Sequence, residues 1–375
     1  MSFENIRVTQ SKIADRLSDE FEKKLIPQSV LISGRPYSSR MSTALELALT
    51  LTGKADKFYS LDTNSLIVLS DRDMDLRIKA ALNLYKKQKN SRSLIFLLQT
   101  IKLFLLSFHV ALSDSTSEEL LTLAGQVSEV LYDANSDFTP EEADKWISAL
   151  EKPLQALLQK NRKKGGFSID NIRDISAFFQ SSGDEESAVI LENIENVTPG
   201  AMNSILKLLE EPPEKAHIIL VSSNPGRILD TILSRVRKYE LPPISENNAK
   251  AFLRDRFFSS ASSLEEFFYT TSGFDYKRAK EEAENFIDTT VIERKSVDTA
   301  TLTSLSQFLD EFSSYPLFFS LLTDYTEKLL YEGKIKTGVA SRCNRVLSHS
   351  LNEAVVYNQN KRVLLDRISR ELINE

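Results

Sequence analysis

Only one cysteine, Cys343, occurs in 375 residues. A lone thiol excludes an intramolecular disulfide and any Cys-rich zinc ribbon or finger. It suits a reducing compartment. Histidine is nearly as scarce, with three copies, which leaves little material for a His-based metal site. Glycine is low, at 11 residues, so many helices and few tight turns are expected. A positive excess is missing too. The 47 basic and 53 acidic residues leave a net charge of −6, opposite to the bias of a protein that grips nucleic acid alone. The first residues, MSFENIRVTQSK, lack a basic stretch followed by an apolar run, so no secretory signal is read there. Leu94–Leu112 is the most apolar segment, but Lys102 lies at its middle with Gln99 and His109 nearby. A central lysine costs about 2.5–3.5 kcal/mol on the insertion scale, so the segment reads as a buried helix and not a membrane span.

The remainder is ordinary globular composition, 41% hydrophobic and 27% charged, in a chain long enough for two or three domains. Gln10–Leu25 carries Ile13, Leu17, Phe21 and Leu25 at helical spacing. Gln28–Gly34, QSVLISG, reads as a buried strand, Ser39–Thr52 as a helix, and Phe58–Asp62 and Ser65–Ser70 as two more strands. This order predicts an α/β fold with a parallel, helix-covered sheet. From about Arg72 to Lys164 strand signals vanish and helical periods take over. Within that block Thr139 and Pro140 look like the N-cap and first position of a helix, and Asn161–Gly166, NRKKGG, reads as a solvated hinge, with a phosphate-contacting loop as the minority alternative.

The α/β pattern then resumes. Ser168 is a plausible N-cap for a helix with Ile169, Ile172, Ile175 and Phe179 on one face. Strands are expected at Ala188–Leu191, His217–Ser223 and near Arg237–Leu241, with a helix at Pro199–Glu211 stopped by Pro212 and Pro213. Beyond Ser245 the chain reads as helices.

The turn after the first strand is where a phosphate-binding loop, G-x-x-x-x-G-K-[ST], would lie. The stretch is GRPYSSRM. Gly34 fits the first glycine, but Ser39 replaces the second, Arg40 the lysine and Met41 the hydroxyl residue. A thioether cannot ligate a hard cation. A later strand should end in an acidic pair for metal and water; here Glu192 stands at the first place and Asn193 at the second. Asparagine cannot take a proton from water. Both sites depart in the direction of lost hydrolysis.

Asn203–Val236, NSILKLLEEPPEKAHIILVSSNPGRILDTILSRV, resembles the clamp-loader subunits of bacterial DNA polymerase III, the gamma/tau and delta-prime proteins of the AAA+ class. The residues that carry the likeness are Asn203, Leu206, Lys207, Leu209, Glu210, Glu211, Pro212 and Pro213, followed by Ser234-Arg235-Val236. It extends upstream through Phe167–Ile175 and Lys24–Gly34. Ile205 replaces the first leucine of the family's helix, and Val236 its usual cysteine. Gamma/tau carries intact ATPase motifs; their loss here favours the delta-prime type. The resemblance implies a P-loop NTPase-like AAA+ domain at 1–244, with the helical block 72–164 in place of the family's four-cysteine zinc module. A helical lid at 245–294 and a helical collar at 295–375 would follow.

The resemblance further implies no ATPase activity of its own. Arg235, positioned by Ser234, would reach a neighbour's ATP site. No cofactor or zinc would be held by this chain, and ATP would sit on partner subunits. Gamma/tau-like and delta-like subunits, the sliding clamp and primed DNA would be its partners, in the cytoplasm. Phe308–Leu322 would offer the collar's apolar contact face. Ser222 or Ser223 occupies a sensor position but reads as a structural hydroxyl. Lys207 reads as a solvated or ion-paired charge, Arg237 and Lys238 as surface charges, Trp146 as a core or subunit contact and Cys343 as a buried thiol. Glu210 and Glu211 are sequential, about 100° apart on a helix, and do not form an acid/base pair. Two rivals remain: an ATPase using a non-standard loop with Arg40, and an AAA+-derived scaffold with other partners.

Overall fold

The computed structural model of the 375-residue chain describes residues 3–61, 63–70, 74–132, 139–161, 167–310, 314–357 and 360–373. The chain divides once by internal packing, between Ser272 and Gly273.

The first unit is built on five parallel strands: β1 (Ser29–Gly34), β2 (Leu66–Leu69), β3 (Ser187–Glu192), β4 (Ala216–Ser222) and β5 (Arg237–Leu241), in the order β2-β3-β4-β1-β5. Strands buried on both faces must be apolar throughout, and β1 to β4 read that way. Alternate residues serve opposite faces. Helices α1 (Glu4–Arg7), α2 (Ser11–Glu22) and α3 (Arg40–Leu51) cover one face, where Val30, Ile32, Ile190, Ile219 and Val221 pack with Ala44, Leu47 and Ala48.

After β2 comes a helical insertion, α4 (Met74–Gln88), α5 (Ser91–Leu105), α6 (Glu118–Tyr132) and α7 (Pro140–Asn161). It has a core of its own, in which Ile78, Leu97, Ile101, Val127, Trp146 and Leu150 are buried. The Trp146 indole donates to the Val130 carbonyl at 2.9 Å. Thr139 caps α7 as expected: its hydroxyl accepts from the Glu142 amide, and the Glu142 carboxylate accepts from the Thr139 amide. Arg72, Asp137 and all of the proposed hinge after Asn161 lie outside the described residues.

Ser91–Phe108 is the one segment among the described residues long and apolar enough to cross a membrane, and half of it is buried inside the protein. Helices α8 (Ile169–Ser181), α9 (Pro199–Glu210) and α10 (Asp230–Leu233) belong to the second sheet face, where Leu31, Val189, Leu191 and Leu220 meet Ile172, Ile175, Phe179 and Ile205. Ser168 caps α8 reciprocally with Asn171. Finally α11 (Glu246–Phe257) and α12 (Leu264–Ser272) pack on the insertion, burying Phe257, Phe267 and Phe268 against Ala80, Leu84 and Phe96.

The second unit holds α13 (Tyr276–Ile287), prolonged by a π turn at Asp288–Ile292, then α14 (Thr299–Asp310), α15 (Tyr315–Tyr331), α16 (Thr337–Tyr357) and α17 (Lys361–Ile373). Cys343 is buried, and burial pushes its thiol pKa up.

Two expectations fail. Phe58–Asp62 is not a strand. Phe58–Ser60 is a turn, Leu61 has a left-handed backbone (φ 50°), and Asp62 lies outside the described residues. Phe58 and Leu61, three apart, enter the core beside α3 together, a spacing that extended backbone cannot give. Nor is Phe308–Leu322 a free apolar face. Leu309, Leu317, Phe318, Phe319, Leu321 and Leu322 are already buried by this chain itself; residues 311–313 lie outside the described set. By packing, α11 and α12 belong with the first unit.

Candidate functional site

The loop from β1 to α3 needs a glycine at its entry. A Cβ on Gly34 would lie 2.7 Å from Ser38 Oγ and 2.8 Å from the Leu241 carbonyl oxygen. Tyr37 and Ser39 both adopt left-handed backbone (φ 60° and 64°). Ser39 thus holds the conformation for which a phosphate loop uses its second glycine, at a cost of roughly 1–2 kcal/mol. Its side chain does not cap α3. Arg40, at the lysine place, is only 9% exposed, and Met41, at the metal-ligand place, is 4% exposed within the apolar core. These residues do not fit a magnesium-bound triphosphate.

The loop is tied down from three sides. The Gln10 side-chain amide donates to the Ser38 carbonyl at 3.0 Å and to the Pro242 carbonyl at 2.8 Å. The Tyr37 ring lies 6.0 Å from that of Phe268 in α12. Arg77 of α4 faces both rings, 5.6 Å from Tyr37 and 4.5 Å from Phe268. Ser38 Oγ, buried beside Gly34, has no hydrogen-bond partner among the described residues.

At the end of β3, Glu192 is 2% exposed and accepts from the Ser70 hydroxyl at 2.5 Å. Asn193 turns the chain with φ 55°. Sequence reasoning passed over Glu195, two residues further. It is buried, and its Oε1 accepts from the Ser223 amide (2.8 Å), the Ser223 hydroxyl (2.6 Å) and the Asn224 amide (3.1 Å). Glu195 therefore clamps the end of β4 to the end of β3, and Ser223 is its structural partner. Ser222 is buried and accepts from the Asn224 amide at 3.0 Å. No spacing rule marks such a carboxylate; only its neighbours across the sheet do.

Arg235 lies just past α10, on the surface. Its Nη2 donates to Glu210 Oε1 at 2.7 Å, and its Nη1 to the Thr231 carbonyl at 2.8 Å and to Ser234 Oγ at 3.4 Å. The Ser234 hydroxyl donates to the same Thr231 carbonyl at 3.0 Å. The side chains of Arg235 and Glu210 remain 36% and 48% exposed. The Glu-Glu-Pro-Pro helix end and the Ser-Arg pair, separate features in the sequence, thus meet through one ion pair. Gly34, Ser39, Arg40 and Met41 gather between β1 and the start of α3. Arg237 is engaged elsewhere, donating to Glu20 at 3.1 Å and to the Leu25 carbonyl at 2.7 Å. Lys207 and Lys238 are exposed.

Residues 122–245 match the family model described as DNA polymerase III, delta subunit. The DNA polymerase III subunit delta' of Buchnera aphidicola subsp. Schizaphis graminum is 33% identical over 97 residues, 25% of this chain and 30% of that protein. The subunit tau of Bacillus subtilis is 35% identical over 79 residues, 20% of this chain and 14% of tau. A solved DNA polymerase III gamma subunit-related protein of Thermotoga maritima aligns over 95% of this chain and 99% of its own, at 15% identity and a TM-score of 0.36. The sequence matches span less than a third of those curated relatives. The family match covers the return of the α/β pattern, β3 to β5, and both motifs joined by Arg235 and Glu210, so this stretch of the chain is similar to the delta' and tau subunits of bacterial DNA polymerase III.

Proposed function

We propose that the chain is an ATPase-inactive, delta-prime-like clamp-loader subunit. It joins gamma/tau-like and delta-like subunits in the cytoplasm and helps to load the sliding clamp at primed DNA. One observation carries the reading: the loop at Gly34 keeps its path with Arg40 and Met41 turned into the protein, while Arg235 stands at the surface. A chain that cannot seat its own magnesium-nucleotide can still complete a neighbour's site. Its contribution is a guanidinium, planar and permanently charged, able to match the charge that develops on a transferring phosphoryl group. Ser234 shares the Thr231 carbonyl with Arg235 and fixes the turn from which the arginine leaves. The chain holds no zinc and no nucleotide; ATP belongs to the partners. DNA contact is shared by the assembly, in keeping with the net charge of −6.

The test is a complex reconstituted with a gamma/tau-like subunit. Arg235→Ala assembles normally, because the residue is exposed, yet hydrolysis at the site it faces falls by about 10³-fold or more. Unchanged ATPase and clamp loading in that variant overturns the reading. So does tight magnesium-dependent ATP binding by the wild-type chain alone.

A further inference from the structure

Glu210 is the last residue of α9, and its carboxylate reaches 25 positions along the chain to the guanidinium of Arg235. The helix itself gives a carboxylate no reason to be there. The C-terminal end of a helix carries partial negative charge and disfavours acidic side chains. What favours Glu210 is Arg235, whose other nitrogen is turned back onto the Thr231 carbonyl. Both groups are open to solvent, so the pair is weak and exchangeable. A phosphate offers the guanidinium fork the same paired oxygens as a carboxylate, with more charge.

We propose that Glu210 is a positioning residue: it holds Arg235 in a resting pose, and the terminal phosphates of a nucleoside triphosphate on a neighbouring subunit compete with it for the guanidinium. This rests on the reading of Arg235 as an arginine lent in trans. The arginine is then withheld until a loaded neighbour docks. The ion pair sets the threshold for its transfer without altering the chemistry that follows.

Glu210→Gln keeps the size of the side chain and removes its charge. In the reconstituted complex at low salt, this variant lowers the half-saturating ATP concentration by about two- to fivefold, while kcat stays unchanged. Raising the salt, which screens an exposed pair, brings wild type and variant together. In an Arg235→Ala background the substitution has no effect. If Arg235→Ala slows hydrolysis but Glu210→Gln shifts nothing at low salt, the role of Glu210 is refuted and the trans arginine stands. An equal shift in the Arg235→Ala background also refutes it. If Arg235→Ala itself changes nothing, the reading beneath falls, and this inference with it.

Discussion

At Gly34 the chain has no room for a methyl group. The would-be Cβ meets a hydroxyl at 2.7 Å and a backbone carbonyl at 2.8 Å. The hydroxyl belongs to a serine that can rotate. The carbonyl belongs to β5 and cannot move without disturbing the sheet. Gly34→Ala should therefore destabilise the first unit by about 1–3 kcal/mol, seen as a lower urea midpoint. Removing the movable obstacle with Ser38→Ala should recover only part of that loss. Full recovery would mean that the carbonyl contact does not matter. Arg40 and Met41 illustrate a different residue-scale point. The unsuitability of Met41 for magnesium is legible in the sequence, since it follows from side-chain type alone. That Arg40 is nearly buried, and that Ser39 keeps a left-handed backbone without glycine, is not. The loop's surroundings include Gln10 and Phe268, the latter meeting Tyr37 of the loop itself, and both approach from distant parts of the chain.

Elements that announce themselves do so through local chemistry. The runs SVLISG and SAVILE are apolar enough to be strands buried on both faces, and both are. Ser168 and Thr139 cap the helices they precede, because capping involves residues only three apart. Phe58–Leu61 deceives because a short apolar run packs equally well as a buried turn. The seam between α2 and β5 is of the kind no local pattern reveals. Glu20 in α2 accepts from the Tyr239 hydroxyl at 2.5 Å, from Arg237 and from Arg16.

Desolvation works against the Glu20 carboxylate, but the bonds from Tyr239, Arg16 and Arg237 win and hold its pKa below the ordinary 4.5. Burial and the same carboxylate push the Tyr239 hydroxyl up. A folded pKa lowered in this way gives stability that is present above the unfolded value and is lost as pH falls through the folded one. Glu20→Gln should thus be less stable than wild type near neutrality. The gap should close progressively as the pH drops below about 4.5, as followed by thermal melting across pH. A gap independent of pH would show that the charge of Glu20 is not what joins the two elements.

For the whole molecule, the question is where the first unit ends. The likeness to a known family draws a boundary at 244, after the last strand. Packing draws it at Ser272. The difference lies in the insertion, whose α4 and α5 present Ala80, Leu84 and Phe96 to α11 and α12. The Phe96 ring sits 4.8 Å from Phe257, and Phe257 stacks on Phe267 at 4.9 Å. Each such phenylalanine contributes about 1.5–3 kcal/mol by leaving water, so the contact is large against a typical net stability of about 5–15 kcal/mol. No periodicity in either stretch tells that they meet, because the partners are separated by more than 150 residues, a distance over which single-sequence patterns are silent. A chain ending at Ser272 should therefore melt cooperatively. One ending at 244 should bind a hydrophobic dye and melt lower or aggregate, since Leu84, Phe96 and Tyr37 lose their cover. Equal melting of the two truncations would mean that α11 and α12 are only draped on the insertion, and that the family boundary is also the physical one.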